Sequence, residues 1–383
     1  MFPVLELSLR ISMSDTIRMF LAGDVMTGRG VDQILPSPGD PELREPCVRD
    51  AREYVALVEK RNGSIPGPVE FGWPWGEALR VLDAAEPDAR VINLETTVTT
   101  CARFASKGIN YRMHPSNVGV LTAARIDVCV LANNHLLDFG PDGLVETVDV
   151  LARSGVRTVG AGRTVAQAWC PVVVEAGTGR RLLIWAAGMS SSGVSPHGAA
   201  RRGRPGVAYL SETTCAEADR VLDRTRVIRR NTDVVVVSLH WGSNWGYDVP
   251  DAHVEFAHRL VDGGVDVVFG HSSHHPRPVE IYRGHPILYG CGDLINDYEG
   301  IGGHERFRDD LRLLYLVTLD ARTHELRELR MVPMKSRQMR LHKASTSDTE
   351  WLRRVLDGIS RGFGTRIDAE TDEFLVARAA REN

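Results

Sequence analysis

The chain predicts an α/β fold, on two observations. Short apolar runs bounded by Gly, Asn or Asp alternate with stretches of helical periodicity, and almost every apolar run ends in a cluster of polar, titratable side chains. The runs at 19–25, 90–94, 127–132, 181–187, 233–239, 265–269 and 286–289 are short and near-continuously apolar, the pattern of strands buried on both faces. Between them, periodicity predicts helices over 74–85, after a "GWPWG" turn, and over 115–124, 140–154, 212–230 and 250–263. Near the end, "RLLYLVTLD" and "ELRELRMVPMKS" read as an antiparallel strand pair, and 348–360 as a closing helix. No internal repeat or Pro/Ser-rich linker intervenes. The expected organisation is an N-terminal extension over 1–18, one catalytic domain over 19–345 with an insert at about 35–71, and a C-terminal helical segment over 346–383.

Composition excludes several function classes. The 383 residues carry a formal net charge of −4, and the Arg clusters "ARRGRP" (200–205) and "RVIRRN" (226–231) are short and isolated. They read as solvated faces, so no nucleic-acid partner is expected. Six scattered cysteines form no CxxC pair and read as free thiols, consistent with a reducing compartment. With no signal-peptide pattern and no apolar stretch of about 18 residues, no membrane association is expected, and a cytoplasmic location is.

The polar clusters carry the functional signal. They are "AGDVMTGR" at Asp24, "NLETTVT" at Glu95, "ANNHLLDFG" at 132–140, "HWGSNWGYD" at His240, "GHSSHHP" at 270–276 and "GCGDLIND" at Asp293. Of 13 histidines, four (His271, His274, His275, His285) fall within 267–295. Imidazole both ligates cations and changes charge near neutral pH, so this concentration points to metal binding or proton transfer. Ligands in α/β sheets bind beyond the carboxyl ends of the strands, which is where six such clusters would meet. Singly, each has a plainer reading: Asp24 as a helix cap, Asn133 as a turn residue, His285 beside Pro286 in a surface loop. Asp138, three residues after His135, can cap the following helix while orienting that imidazole. His253 and His258, on a helical stretch, read as structural.

The ordered motifs "GDVM", "NLET", "ANNHLLDFG", "HWGSNWGY", "GHSSHHP" and "YGCGDLIND", within about 19–320, resemble the poly-gamma-glutamate capsule synthesis (CapA-type) family, itself similar to calcineurin-like metallophosphoesterases. The resemblance implies a metallophosphoesterase-like sandwich of two mixed β-sheets flanked by helices. It places Asp24 and Glu95 as acidic metal ligands, Asn134 as the asparagine ligand, His135 as the catalytic histidine, and His240 and His271 as histidine ligands. Two departures stand out. Met26 occupies the position of the histidine in an Asp-x-His pair, and "GHSSHH" has Ser273 where Gly-His-x-His has its second histidine.

Those departures lead to an expectation of one divalent cation, Ca, Mn or Mg in preference to Zn, because the remaining set is rich in oxygen donors. The other titratable groups then suggest two histidine–carboxylate pairs drawn from His135, Asp138, His274 and Asp293, able to act as base and acid. Trp241 and Trp245 read singly as packing residues, but because they flank His240 they are also candidates, with Trp73, Trp75 and the "KGINYRMHP" loop, for a peptide pocket in which Lys107 or Arg112 holds a carboxylate. The function expected is a metal-dependent acid/base enzyme acting on a peptide, with Cα epimerisation first. The alternatives are metal-dependent hydrolysis of a phosphoester or amide, and a role in capsule polymer synthesis.

Overall fold

The computed structural model describes residues 15–177, 179–371 and 373–380, so most of the extension expected over 1–18 lies outside the described residues. Its last positions do not. The first strand, Thr16–Val25, begins inside that span and pairs from Thr16↔Asp320 onward.

Two mixed sheets form, as the resemblance implied. The larger runs Thr365–Thr371, Phe374–Ala379, Leu326–Ser336, Leu311–Asp320, Thr16–Val25, Ala89–Leu94, Val128–Val130 and Arg157–Val159, with Asp293–Ile295 beside Thr16–Val25. Thr16–Val25 is where it changes character, pairing antiparallel with Leu311–Asp320 and parallel with Ala89–Leu94. The smaller sheet runs Tyr209–Leu210, Arg181–Met189, Val234–His240, Val267–His271, His285–Leu288 and Val279–Tyr282.

Side chains alternate across each strand, and here both faces are apolar. Ile17, Met19 and Leu21 enter the core between the sheets, where they join Leu182, Ile184, Val234, Val236, Val267 and Phe269 of the second sheet. Phe20 and Ala22 face the opposite way, into the layer that holds Leu82, Leu121 and Leu144. In the second sheet Leu183, Trp185, Val235 and Val237 pack on Leu222, Phe256 and Leu260. The last three belong to the helices Cys215–Ile228 and Asp251–Asp262.

Several expectations are corrected. The helix expected from 74 starts at Ala78, because Gly76, at φ +49, closes a turn first. Trp75 is fully buried and donates to the Val120 carbonyl, while Trp73 donates to the Gln338 carbonyl, so both serve the core and not a peptide pocket. Among the described residues of 346–383, the α-helix covers Thr346–Ser360 and a 3-10 turn, Arg361–Phe363, follows it. A hairpin then follows, Thr365–Thr371 and Phe374–Ala379, whose second strand pairs with Leu326–Ser336. There Ile367, Leu375 and Ala377 alternate into the inter-sheet core. All six cysteines are free, and no described helix is long and apolar enough to cross a membrane.

Candidate metal centre

Parallel pairing brings the titratable residues together. Asp24 is in register with Asp293 on one side and with Asn93 on the other. In the second sheet His240 is in register with His271. Registered neighbours lie on the same face about 4.8 Å apart, so two short rows of donors form at the strand ends. Glycines let the chain close around them. A side chain on Gly23 would strike the Gly292 carbonyl, which accepts the Asp24 N–H, and Gly292 itself sits at φ +74. After His271 the chain turns sharply through Ser272 at φ +103, and the Ser272 N–H donates to Asp24 Oδ2 at 3.2 Å, joining the two sheets.

The geometry offers two overlapping donor sets. Ligand atoms of Asp24, His240 and His271 lie within 4.8 Å of one another, and so do those of Asp24, His274 and Asp293. Asp24 is common to both. Asn134 Oδ1 lies 3.1 Å from His240 Nε2 and can only accept, so a neutral His240 keeps its hydrogen there and presents a lone pair at Nδ1. That Nδ1 is 2.8 Å from His271 Nδ1, which is 3.8 Å from Asp24 Oδ1. Glu95 Oε1 lies 3.7 Å from His240 Nε2 and 3.8 Å from His135 Nε2, and its Oε2 is buried without a partner among the described residues.

Electrostatics point the same way. Burial, then the Asp293 carboxylate, raises the Asp24 carboxyl; burial, then Asp24, raises Glu95 well above the usual carboxylate range. Burial lowers His271 to about 3, and burial followed by the neighbouring imidazoles lowers His240 strongly, so both are neutral and able to ligate. Crowded buried carboxylates, neutral imidazoles and an orphaned Glu95 oxygen fit a divalent cation. The donors are richer in imidazole than expected, and His274 with Asp293 and the shared Asp24 supplies a second set despite Ser273 in "GHSSHH". Restriction to one hard cation does not follow from this arrangement.

His135 and His274 each hold a carboxylate. His135 Nδ1 lies 2.7 Å from Asp138 Oδ2, and His274 Nδ1 lies 2.9 Å from Asp293 Oδ1. Asp138 also accepts from Lys107 Nζ at 2.7 Å and from the Tyr111 N–H at 2.7 Å. Burial lowers His135 to about 4 despite Asp138, while His274 is raised because Asp293 and Asp24 outweigh its burial.

The expected pocket residues fare unevenly. Lys107 stands beside the cluster, but its ammonium is committed to Asp138 and to the Asn134 carbonyl at 2.8 Å. Arg112 turns away, donating to the carbonyls of Cys101 and Asp40 and lying over Phe139. Trp241 follows His240 and therefore points to the opposite face, where it stacks on His253 inside the core. Trp245 is half-buried, 5.4 Å from the His274 ring. His253 packs there, His258 pairs with Glu280, and His285 lies outside the cluster near the Asp266 carbonyl.

Sequence reasoning missed the supports. Asn93 donates to Asp24 Oδ1, Asn133 holds both Asn93 and the His135 N–H, Ser238 lies 2.8 Å from His271 Nε2, and Asn296 donates to Asp293. Asn93 and Asn133 stand inside quoted motifs; nothing local marks Ser238. Beneath lies a buried Arg29, paired with Asp297 and Glu45 and set against Tyr54, Tyr111 and Tyr298.

Comparison with known proteins decides the family: residues 18–298 match the model of the "Bacterial capsule synthesis protein PGA_cap" family. This chain belongs to the PGA_cap family. The PGA_cap chain is 53% identical over 363 residues to the "Probable polyglutamine synthesis accessory protein" of Mycobacterium tuberculosis (strain ATCC 25618 / H37Rv), covering 94% of this chain and 96% of that one. It is 25% identical to "PGA biosynthesis protein CapA" of Bacillus subtilis (strain 168), covering 90% and 81%. Among solved structures, a phosphatase from Mycoplasma pneumoniae aligns over 84% of this chain and 95% of its own, at 10% identity and a TM-score of 0.45.

Proposed function

We propose that this PGA_cap protein is a metal-dependent acid/base enzyme acting on the amide backbone of a glutamate-containing peptide polymer, in the synthesis process for which its relatives are named. The observation that carries this reading is His135. Asp138 holds its Nδ1, and its Nε2 faces Glu95 at the edge of the donor cluster. Asp24, His240 and His271 would hold one ion, and Asp24, His274 and Asp293 a second. A bound divalent ion there supplies polarisation of a carbonyl and acidification of water. His135, neutral, takes the proton at Nε2 from the attacking water while Asp138 stabilises the imidazolium. A bond then forms from that oxygen to the amide carbon, the C–N bond breaks, and the same proton passes to the leaving nitrogen.

Cα epimerisation is the second reading, and the His274–Asp293 pair favours it. With one ion on Asp24, His240 and His271, two carboxylate-held imidazoles remain, one to remove a Cα proton and one to return it. Purified, metal-analysed protein is incubated with acidic peptides in D₂O and in H₂¹⁸O, with and without chelator, and followed by mass spectrometry. Chelator-sensitive cleavage with ¹⁸O uptake supports hydrolysis. A single non-exchangeable deuteron without cleavage supports epimerisation, and neither change across α- and γ-linked glutamate peptides defeats both.

A further inference from the structure

The "ARRGRP" turn belongs to neither donor set, yet it stands at the rim of a cavity of about 570 Å³ that reaches the cluster. Asn134, Lys107 and Asp138 line it next to the cluster, Leu137, Val194 and Val207 give it apolar lining, and the exposed Arg204 lines it as well. We propose that this cavity and the turn bind an acidic peptide chain, with side-chain carboxylates on Arg204 and their methylenes against Leu137, Val194 and Val207. The inference deepens the function proposed above and rests on it for the direction in which the chain threads.

Three observations support the assignment. Many exposed arginines of this molecule are neutralised, Arg163 by Asp149, Arg220 by Glu217 and Arg259 by Asp219. Among the described residues no carboxylate pairs with Arg201, Arg202 or Arg204, so this turn is an uncompensated positive patch on a chain of net charge −4. The turn is also built in place. Arg201 bridges to Arg204, Ala199 bridges to Val207, and the Arg201 guanidinium donates to the Pro196 carbonyl at 3.3 Å. Upstream, Ser192 Oγ donates to the His240 carbonyl at 2.6 Å, tying the cavity wall to the metal-centre strand. Finally, the cation expected to hold a carboxylate, Lys107, is already neutralised by Asp138, which leaves Arg204 as the cavity's unpaired guanidinium among the described residues. Apolar walls with a cationic rim suit carboxylates on short aliphatic arms, and a guanidinium binds each in bidentate fashion.

The test is fluorescence anisotropy of labelled oligoglutamate, α- and γ-linked, with the full chain at low and raised salt. Wild type and His135→Ala are expected to bind alike, with affinity falling as salt rises. Arg204→Glu is expected to weaken binding by roughly tenfold or more, with its melting temperature kept because the residue is exposed. Oligoglutamine is expected to bind at least tenfold more weakly. Equal binding by Arg204→Glu, equal binding of oligoglutamine, or stronger competition by inorganic tripolyphosphate than by unlabelled oligoglutamate overturns the proposal. Tight Arg204-dependent binding without turnover upholds this site while the catalytic reading fails. Turnover untouched by Arg204→Glu does the reverse.

Discussion

At Asp138 one buried carboxylate serves three donors: Lys107, the Tyr111 N–H and His135. The last of these sets the His135 tautomer, because a hydrogen on Nδ1 leaves the Nε2 lone pair facing the cluster. Asp138→Asn keeps the volume but offers an amide that can bind the wrong tautomer. We expect kcat on an acidic peptide to fall by about 10²–10⁴ with an unchanged far-UV circular dichroism spectrum. Wild-type turnover in that variant would remove His135 from the role given to it. Asp24 is common to both donor sets, so Asp24→Asn should abolish metal uptake measured by elemental analysis, where loss of His135 should not.

Two elements are sensitive for reasons visible in the backbone. Where Thr16–Val25 meets the 290–293 segment, a methyl on Gly23 would overlap the Gly292 carbonyl. Gly23→Ala forces that segment away and with it Asp293 from Asp24. A loss of about 1–3 kcal/mol in urea unfolding is expected, together with weaker metal binding. The helix Thr346–Ser360 begins with Ser345 accepting from the Asp348 N–H, and Asp348 accepts from Arg308 and Lys335. Its burial opposes ionisation, but hydrogen bonds from Arg308, Ser345 and Lys335 prevail and hold the carboxylate at about 2. Because the folded value lies below the unfolded one of about 3.9, this stabilisation is full above pH ~4 and disappears as pH falls through 2. Asp348→Asn should therefore cost about 1–2 kcal/mol at neutral pH and little near pH 2, in denaturant titrations at the two pH values.

Over the whole molecule, the two sheets meet at the metal centre, with Asp24 from one and His240 and His271 from the other. An ion bound there links both sheets and has no comparable site in the unfolded chain. By mass action, Mn²⁺ at a hundredfold excess over its dissociation constant should add about 2.7 kcal/mol. A rise of several degrees in melting temperature, reversed by chelator and missing in Asp24→Asn, is the expected result of differential scanning fluorimetry. No rise with Mn²⁺, Zn²⁺ or Mg²⁺ would mean the donors do not form a metal site.

The sequence by itself determined the central strands, the main helices and the polar clusters at the strand ends, because period and punctuation are local properties. It also determined the His135–Asp138 pair, since three residues of chain keep the two within reach. Tertiary structure alone decided which clusters touch. Asp24 beside Asp293 and His240 beside His271 are consequences of register between strands far apart in sequence. It also decided which neighbour of a site residue turns away, as Trp241 does from His240 and Arg112 from Tyr111. The C-terminal hairpin was hidden for the same reason: its alternation is short, and its apolar face has meaning only against the sheet it joins. Register, sheet order and facing are settled by burial summed over distant residues, which no local window contains.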